Sequence, residues 1–493
     1  MPGDYGIYSL LPPLLAIVLS IATRQVFISL AIGIWVGYLT LAGGNVIAAT
    51  IDTLTAFVNV FAVDGEGNTR TILFCLMVGS LITLIQRSGG VDGFVKWIQG
   101  LGLADSPRSA GLLATAVGAC VFIESSISCL VTGTIGRPLF DRLKISREKL
   151  AYVCDTASAP ICILIPLNGW GAYILAQLAD LGVEEPVPLL IKSIPLNFYA
   201  ILSFLLLLVV IISGKDFGPM RKAERRAREE GKLLADGARP MVTEEVLAMP
   251  RAESTPPRVI NMAVPIIVMI ATVLAAIVYT GATGAKEALP EAFWDKVWVI
   301  LQNCSGSTSV YWGVFAGCFV GIGMYFVQGI MGLKESIDVA LKGAGALVPL
   351  GVLMILAFTI GRLCGKDGLN TGGYVASLVG QDASATLIAP LLFIASSAIA
   401  FSTGTSWGTF AIMLPIGLSV AAKVDLPSAL AVSAVLGGGV FGDHCSPISD
   451  TTIVSSMASA SDHIDHVRTQ LPYALSVGVV TALLYAFSGA MMT

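Results

Sequence analysis

The segment FIESSISCLVTGT at Phe122–Thr134 reappears as FIASSAIAFSTGT at Phe393–Thr405. Phe, Ile, a pair of serines and Thr-Gly-Thr occupy the same positions in both copies, which start 271 residues apart, at 122 and 393. Weaker matches follow in the same order along the chain: Gly33-x-x-x-Gly37 with Gly317-x-x-x-Gly321, Ile51-Asp52 with Ile337-Asp338, and Cys154–Ile161 with Gly442–Ile448. An ordered series of this kind predicts a chain built from two related halves.

The composition places both halves in a membrane. Of the 493 residues, 55% are hydrophobic and 13% are charged, about half the charge of a soluble protein. Apolar runs of roughly 17–25 residues, long enough to cross a bilayer as a helix, recur throughout. We therefore expect an all-α polytopic membrane protein with about 10–13 transmembrane segments. A net charge of −4 argues against nucleic-acid binding, and nine isolated cysteines argue against a disulfide framework or structural zinc.

One stretch of the chain is clearly aqueous. Gly214–Arg258 carries ten of the 29 Lys and Arg residues. Basic loops between membrane segments stay in the cytoplasm, so we expect this linker to face inward as a solvated, partly helical spacer. The predicted layout is a first membrane repeat at 1–213, a cytoplasmic charged linker at 214–258 and a second membrane repeat at 259–493.

The same charge rule orients the two halves. Acidic loops at 44–70 and 281–307 suit the outside, which places the N-terminus outside a cell inner (cytoplasmic) membrane. The helix that carries Gly33 then runs outward and the helix that carries Gly317 runs inward, so the halves are predicted to be inverted repeats. Inverted repeats with broken or re-entrant helices are typical of secondary transporters, whose sites lie near the midplane of the bilayer.

The densest polar cluster at membrane depth is GGGVFGDHCSPISDTTIVSS, at Gly437–Ser456. Its glycines, Pro447 and many hydroxyls predict a broken helix, which is tolerated at this depth only where it is buried in protein or lines an aqueous cavity. Its carboxylates and hydroxyls form an all-oxygen ligand set suited to a hard cation such as Na⁺. The candidate ligands are Asp443, Ser446, Ser449, Asp450, Thr451 and Thr452. A loop in the headgroup region is the structural alternative.

The first half repeats this chemistry at lower density in CDTASAPICILIPLNGWGA, at Cys154–Ala172. The candidates there are Asp155, Thr156, Ser158 and Asn168. Carboxylates are costly at membrane depth, so Asp155 is expected to bind an ion or to be a hydrogen-bonded structural group. Glu124 either carries protons or makes a structural pair. Thr405, like the other hydroxyls of the 13-residue repeats, either lines the same cavity or packs helices together.

The three histidines fall late in the chain, at His444, His463 and His466. His463-x-x-His466, flanked by Asp462 and Asp465, has the residue types of a metal site, but we expect a polar loop before the last span. His444 lies beside Asp443. It either titrates between about pH 5 and 8 and tunes activity, or it only hydrogen-bonds.

Three segments together resemble the NhaC family of Na⁺/H⁺ antiporters in the ion-transporter superfamily. They are GDHCSPISDTT at Gly442–Thr452, DHIDHVRTQLPYAL at Asp462–Leu475 and SLLPPLLAIVLSIATRQVFISLAIGIWVG at Ser9–Gly37. The resemblance covers nearly the whole chain and is weakest in the linker. It implies Na⁺ and H⁺ as transported ions, no cofactor, inverted repeats and a homodimer in the bilayer. Related proteins exchange malate for lactate, move amino acids or export tetracycline, so the substrate is the least specific implication.

The predicted function is Na⁺/H⁺ exchange at membrane-embedded carboxylates. Asp155 and Asp450, brought together by the repeats, would bind Na⁺ or protons in competition, because a charged carboxylate without a cation is costly at membrane depth. The alternative within transport is a Na⁺- or H⁺-coupled carrier of a small organic acid or amino acid, assisted by Arg137 or Arg362 if either faces the cavity. A membrane-embedded hydrolase and a channel are the alternatives from other classes. No enzyme activity is expected, because an enzyme has no need of two inverted halves.

Overall fold

The computed structural model of the chain describes residues 5–23, 25–61, 66–100, 105–122, 124–240, 256–285, 290–365, 367–378 and 384–492. The middle of the linker, 241–255, lies outside the described residues. The described residues form helices, and one isolated bridge joins Pro240 to Asp462. The all-α class is confirmed.

The first half opens on a 3-10 helix at Gly6–Leu10 and has a second one at Ile194–Leu196. Its α-helices are α1 (Leu11–Thr23), α2 (Val26–Leu41), α3 (Val46–Asn59), α4 (Glu66–Arg87), α5 (Gly90–Gly100), α6 (Pro107–Cys120), α7 (Ser125–Arg142), α8 (Arg147–Thr156), α9 (Ala159–Leu164), α10 (Gly169–Asp180), α11 (Pro186–Ser193) and α12 (Phe198–Ser213). The linker contributes α13 (Gly218–Glu230).

The second half follows a similar order of long, short and broken helices. Its members are α14 (Ile260–Gly284), α15 (Phe293–Asn303), α16 (Gly306–Val327), α17 (Leu333–Ala346), α18 (Val348–Cys364), α19 (Thr371–Leu378), α20 (Ala385–Thr403), α21 (Ser406–Lys423), α22 (Ser428–Cys445), α23 (Asp450–Ser459) and α24 (His463–Met492).

Six of the described helices are long and apolar enough to cross a membrane by themselves. Two bent pairs of helices could each form one more span, which would give eight. The bent pairs are α8–α9 with α10, at 40°, and α17 with α18, at 45°. Further apolar helices are shorter than a bilayer requires. Large apolar side chains such as Val209, Phe319 and Leu483 are more than half exposed, which is the surface expected to face lipid.

Each half contains a helical hairpin followed by a broken helix. In the first half α6 and α7 form the hairpin, and the chain unwinds at 165–168 before α10. In the second half α20 and α21 form the hairpin, and the chain unwinds at 446–449 before α23. Pro166 and Pro447 occupy the second position of the two breaks, where the missing N–H interrupts helical bonding. Pro447, which was predicted to break a helix, therefore does so, and Pro166 marks the break in the first half.

Equivalent elements of the two halves are 281 residues apart rather than 271. Helix α7 begins at Ser125 and α21 at Ser406, while α10 begins at Gly169 and α23 at Asp450. The sequence match that starts at 122 and 393 is therefore wrong as a structural alignment. Helix α20 has 19 residues and α6 has 14, so matched letters fall on different arms of the two hairpins. The weaker pairing of Cys154–Ile161 with Gly442–Ile448 does not follow this spacing either, because the two segments start 288 residues apart, at 154 and 442.

The broken helix of the first half starts where the linker docks. Glu224 of α13 accepts hydrogen bonds from the backbone N–H of Ser146, at 2.9 Å, and from its hydroxyl, at 2.7 Å, just before α8 begins. From there the chain runs through the 40° bend to Asp180 at the end of α10. We call the side of Ser146 the linker face and the side of Asp180 the far face.

The broken helix of the second half runs the other way. Ser428, at the start of α22, lines a cavity of about 740 Å³ together with Asp180, on the far face. At the end of α23 the carbonyl of Ser459 accepts a hydrogen bond from Arg147 at 2.6 Å, on the linker face. The two broken helices are thus antiparallel, as the inverted-repeat prediction requires.

Candidate functional site

The candidate site lies in the interior, where the two helix breaks meet the hairpin tips. Asn168 caps α10 by accepting from the backbone N–H of Gly171 at 3.1 Å, and its amide donates to the Phe122 carbonyl at the first hairpin tip, at 2.9 Å. In the second half the Ser446 hydroxyl donates to the carbonyl of Phe401, beside the other tip, at 2.7 Å. Each break is therefore tied to the hairpin of its own half.

Asp155 is fully buried near the end of α8. Its Oδ2 accepts hydrogen bonds from the Gln470 amide at 2.7 Å and from the Thr452 hydroxyl at 3.4 Å. The Nε2 atoms of His466 and His444 lie 3.5 and 3.9 Å from the same oxygen. Its Oδ1 has no hydrogen-bond partner in the described part of the chain. Among the described residues neither Lys nor Arg contacts this carboxylate, so nearby protein can balance its charge only through groups that titrate.

His444 connects Asp155 to two further helices. Its Nε2 lies 3.1 Å from the hydroxyl of Thr156, and its Nδ1 lies 2.9 Å from the hydroxyl of Tyr199 on α12. The imidazole is buried. Both ring nitrogens are engaged, so the ring orientation is fixed at the meeting of α8, α12 and α22.

Two more aspartates flank the break between α22 and α23. Asp443 is buried, and its Oδ2 accepts from the hydroxyl of Ser406, the first residue of α21, at 2.9 Å. Its Oδ1 has no hydrogen-bond partner among the described residues. Asp450 begins α23, is exposed, and accepts from the N–H of Thr451 at 2.8 Å. The charges of Asp443, Asp450 and Asp155 lie close enough to interact.

Glu124 joins this cluster from the first hairpin tip. It is half-buried, and its Oε1 lies 3.2 Å from the hydroxyls of both Ser125 and Ser126, which donate to it. Its charge also interacts with that of Asp450. Four carboxylates from both halves therefore share one interior region, which we call the carboxylate cluster: Glu124, Asp155, Asp443 and Asp450.

Comparison with known proteins agrees with this architecture. The model of the Na⁺/H⁺ antiporter family matches residues 184–490, more than half of the chain. The chain belongs to the Na⁺/H⁺ antiporter family. Members of this family are transporters rather than enzymes, so the protein is a secondary transporter of the membrane.

Two relatives of this family member and one solved structure differ in how much of the chain they resemble. An uncharacterised protein of Haemophilus influenzae is 36% identical over 98% of this chain and 91% of its own length. The malate-2H(+)/Na(+)-lactate antiporter of Bacillus subtilis is 32% identical over 28% of this chain and 30% of that protein. The solved structure of Neisseria gonorrhoeae MtrF, described as illuminating a class of antimetabolite efflux pumps, matches with a TM-score of 0.51 and 13% identity, over 91% of this chain and 85% of that one. This last likeness shows a shared fold.

The hydroxyl and amide candidates of this antiporter-family protein divide into two groups. Thr452 bonds Asp155 directly, and Thr156 contacts it through His444. The other candidates bond to the backbone or to one another. Ser158 donates to the Asp155 carbonyl, and the hydroxyls of Ser449 and Thr451 share a hydrogen bond. Ser446 and Asn168 bond to the hairpin tips beside the breaks, and Thr405 precedes α21, where its carbonyl accepts from Thr409. Of the first group, Thr452 contacts a carboxylate of the cluster directly, whereas Thr156 contacts only His444.

The expectation of a polar loop at His463-x-x-His466 is wrong. Both residues lie on α24; His466 is buried beside Asp155, and the Nε2 of His463 lies 2.6 Å from the carbonyl of Pro447. The helix begins earlier than its apolar part because the inner ends of α8 and α22 supply polar partners. Within the described ranges, His, Cys, Asp and Glu side chains form no group of three that could hold a metal ion.

Sequence reasoning missed His466 and Gln470 as members of the site. They are spaced i and i+4 at the start of a helix that continues for 30 residues, so they share a face of α24. Two polar side chains on one face, just ahead of an apolar run, are the signal that could have found them.

Neither arginine considered for an organic substrate contacts the carboxylate cluster. The guanidinium of Arg137 donates to the Ala458 carbonyl at the end of α23, at 2.6 Å. Arg362 pairs with Asp180 on the far face, at 3.2 Å, and donates to the carbonyl of Asn59. Both side chains tie helix ends together.

Proposed function

We propose that the protein exchanges Na⁺ for H⁺, with Asp155 and Asp450 binding the two ions in competition. The observation that carries the proposal is Asp155, a fully buried carboxylate whose side-chain partners are Gln470, Thr452 and two histidines, with neither Lys nor Arg among them in the described chain. A buried carboxylate without a fixed cation is stable only when a proton or a metal cation neutralises it. A site of this kind suits the transport of a cation.

The competition follows from the charges in the carboxylate cluster. A proton on Asp155 or Asp450 removes the negative charge that attracts Na⁺, and bound Na⁺ opposes protonation of the same oxygens. Because the charged, empty site is the costly state, the protein changes its access while one ion or the other is bound. Movement of one ion is then coupled to return of the other without ATP.

The residues present fit a Na⁺ substrate. Hard cations prefer oxygen ligands, and the Oδ1 atoms of Asp155 and Asp443 are buried without a hydrogen-bond partner in the described chain. The hydroxyl of Thr452 and the exposed carboxylate of Asp450 add oxygens nearby. Exposure of Asp450 would give ions a way to the buried carboxylates.

Purified protein in liposomes with an internal pH dye tests the proposal. An imposed Na⁺ gradient should move protons in the opposite direction. Asp155→Asn and Asp450→Asn should each abolish this response, since an amide carries no charge for the ions to neutralise. Asp52→Asn, on helix α3 by the far face, is the matched control and should exchange normally. Full exchange in either site variant would exclude the assignment.

A coupled carrier of an organic acid is the second candidate, favoured by the name of the Bacillus subtilis relative, which couples malate and protons to Na⁺ and lactate. Counterflow separates the two: liposomes loaded with unlabelled malate or lactate should not accelerate uptake of the labelled acid if only Na⁺ and H⁺ are exchanged. Acceleration would favour the organic carrier.

The setting of the protein is also part of the proposal. We place it in the inner, cytoplasmic membrane as a homodimer, with the linker face toward the cytoplasm and the N-terminus outside. The carbonyl of Ser9 accepts a hydrogen bond from the hydroxyl of Thr371, at 2.7 Å, near the start of α19. That helix follows Arg362 of the far face, which supports an outside N-terminus.

A further inference from the structure

The linker carries a basic groove that ion exchange does not use. A cavity of about 830 Å³ lies between the turn after α12 and the first turns of α13. Five cationic side chains line it: Lys215, Arg221, Lys222, Arg225 and Arg228. All five are exposed. We call this cavity the basic groove.

The positive charge of the basic groove is only partly balanced by its own acids. Within the described chain, four of its five cations form no ion pair, and the fifth, Arg228, pairs with Glu224 at 3.5 Å. Of the other two acids that line the groove, Asp216 pairs with the buried Lys149 and Glu229 is exposed. The groove therefore presents a surplus of cations to any anion that approaches it.

The start of α13 adds further donors to the same groove. This helix of 13 residues begins at Gly218, which lines the cavity, and the preceding Phe217 provides no side-chain cap. The first N–H groups of an α-helix have no partner within the helix and carry a partial positive charge. Such a helix end beside several cations suits a phosphate group.

An apolar surface leads directly to the groove. Leu205, Val209 and Ile212 are about half exposed along α12, which ends at Ser213, one residue before the groove begins. Phe217, at the boundary, is 38% exposed, as is common for aromatic side chains at the level of the headgroups. An apolar track that ends at a cluster of cations matches a phospholipid, whose acyl chain and phosphate are arranged in the same order.

We propose that the basic groove binds the phosphate headgroup of an anionic phospholipid of the cytoplasmic leaflet, with its acyl chain along α12. The lipid is structurally linked to the transport site through residues that the groove shares with the membrane helices. Glu224 holds the start of α8, and Asp216 accepts from the Tyr473 hydroxyl of α24 at 2.8 Å. Those two helices carry Asp155 and Gln470, so a bound lipid stabilises the linker face of the site.

Lipid binding by the full-length protein tests this proposal independently of the transported ion. The variant Arg221→Gln/Lys222→Gln/Arg225→Gln removes three groove cations and keeps Asp216 and Glu224. The control Lys144→Gln/Lys334→Gln/Lys342→Gln removes three exposed cations that do not line the groove. Retention of phosphatidylglycerol over phosphatidylcholine is measured by native mass spectrometry of protein released from nanodiscs.

The groove variant should bind phosphatidylglycerol more weakly by roughly fivefold per cation, on the order of 100-fold for three, because each loses its attraction to the anionic headgroup. The control should retain it, and both should melt at the wild-type temperature in phosphatidylcholine. Equal retention by the two variants overturns the proposal. If inorganic phosphate protects the protein against melting as well as the lipid does, the groove binds free phosphate rather than a lipid headgroup.

Discussion

Asp155 and His466 are in direct contact at the proposed ion site. The Nε2 of His466 lies 3.5 Å from the Oδ2 of Asp155, and both side chains are completely buried. His466→Gln keeps a polar side chain there and replaces a ring nitrogen by an amide, whose oxygen is the kind of ligand that hard cations prefer. The variant should therefore have a lower KM for Na⁺ than the wild type.

Initial rates of Na⁺-driven proton release over a range of Na⁺ concentrations measure this effect. His463→Gln is the control, since that ring contacts the Pro447 carbonyl and the Ser456 hydroxyl rather than a carboxylate. Identical KM values for the His466 variant and the wild type would show that this histidine does not border the Na⁺ site.

At the scale of single residues, the carboxylates could be predicted and their partners could not. A charged residue at membrane depth is conspicuous in a sequence with so few charges, which is why Glu124, Asp155, Asp443 and Asp450 stood out. Gln470 and His466 did not, because they precede the apolar part of α24 in sequence. They reach Asp155 only because α24 starts inside the protein, which is a property of packing.

The hairpin turn of the second half has no room for a side chain at Gly404. Its φ of +68° is left-handed, and a Cβ there would lie 2.6 Å from the carbonyl of Ile448 in the neighbouring break. Gly404→Ala should therefore lower the free energy of unfolding by more than the roughly 1–2 kcal/mol of the left-handed conformation alone, and should reduce exchange.

Gly329→Ala provides the matched comparison, because its φ of +66° is nearly the same and nothing lies within 4 Å of the added Cβ. Thermal unfolding in detergent should show a clearly smaller loss of stability for Gly329→Ala than for Gly404→Ala. Equal losses would mean that the hairpin tip at Gly404 does not pack tightly against the break at 446–449.

At the scale of elements, the sequence predicted broken helices correctly and their alignment incorrectly. Pro166 and Pro447 mark the breaks because proline cannot donate a backbone hydrogen bond. The repeated letters after Phe122 and Phe393 suggested a register ten residues away from the structural one. Small and hydroxylated residues suit many positions in membrane helices. Their recurrence therefore says little about which positions of the two halves correspond in the structure.

The arrangement of the whole molecule predicts opposite accessibility for the two ends of each broken helix. Glu184→Cys lies just beyond α10 on the far face, and Lys232→Cys lies just beyond α13 on the linker face; both side chains are exposed. In a Cys120→Ser background, an impermeant maleimide should label Glu184→Cys in intact cells and Lys232→Cys only in inside-out vesicles. Labelling of both from one side would show that the first broken helix does not cross from the linker face to the far face.

Composition predicts two membrane halves and an aqueous linker, because membrane insertion depends on the apolar content of each segment. The docking of α13 and of the turn before it could not be predicted, since Glu224 and Asp216 contact Ser146 and Lys149, which lie 78 and 67 positions earlier in the chain. Basic residues alone look the same in a free spacer as in a docked helix.

The ending of α23 has a consequence for biogenesis. Its last carbonyls, at Ala458 and Ser459, are satisfied by Arg137 and Arg147 of the other half, and Gly133 packs against the Ala458 carbonyl with no room for a side chain. The first half must therefore already be inserted in the bilayer when this late helix is synthesised. If the chain were cleaved in the linker, neither fragment would fold completely until the other was inserted beside it.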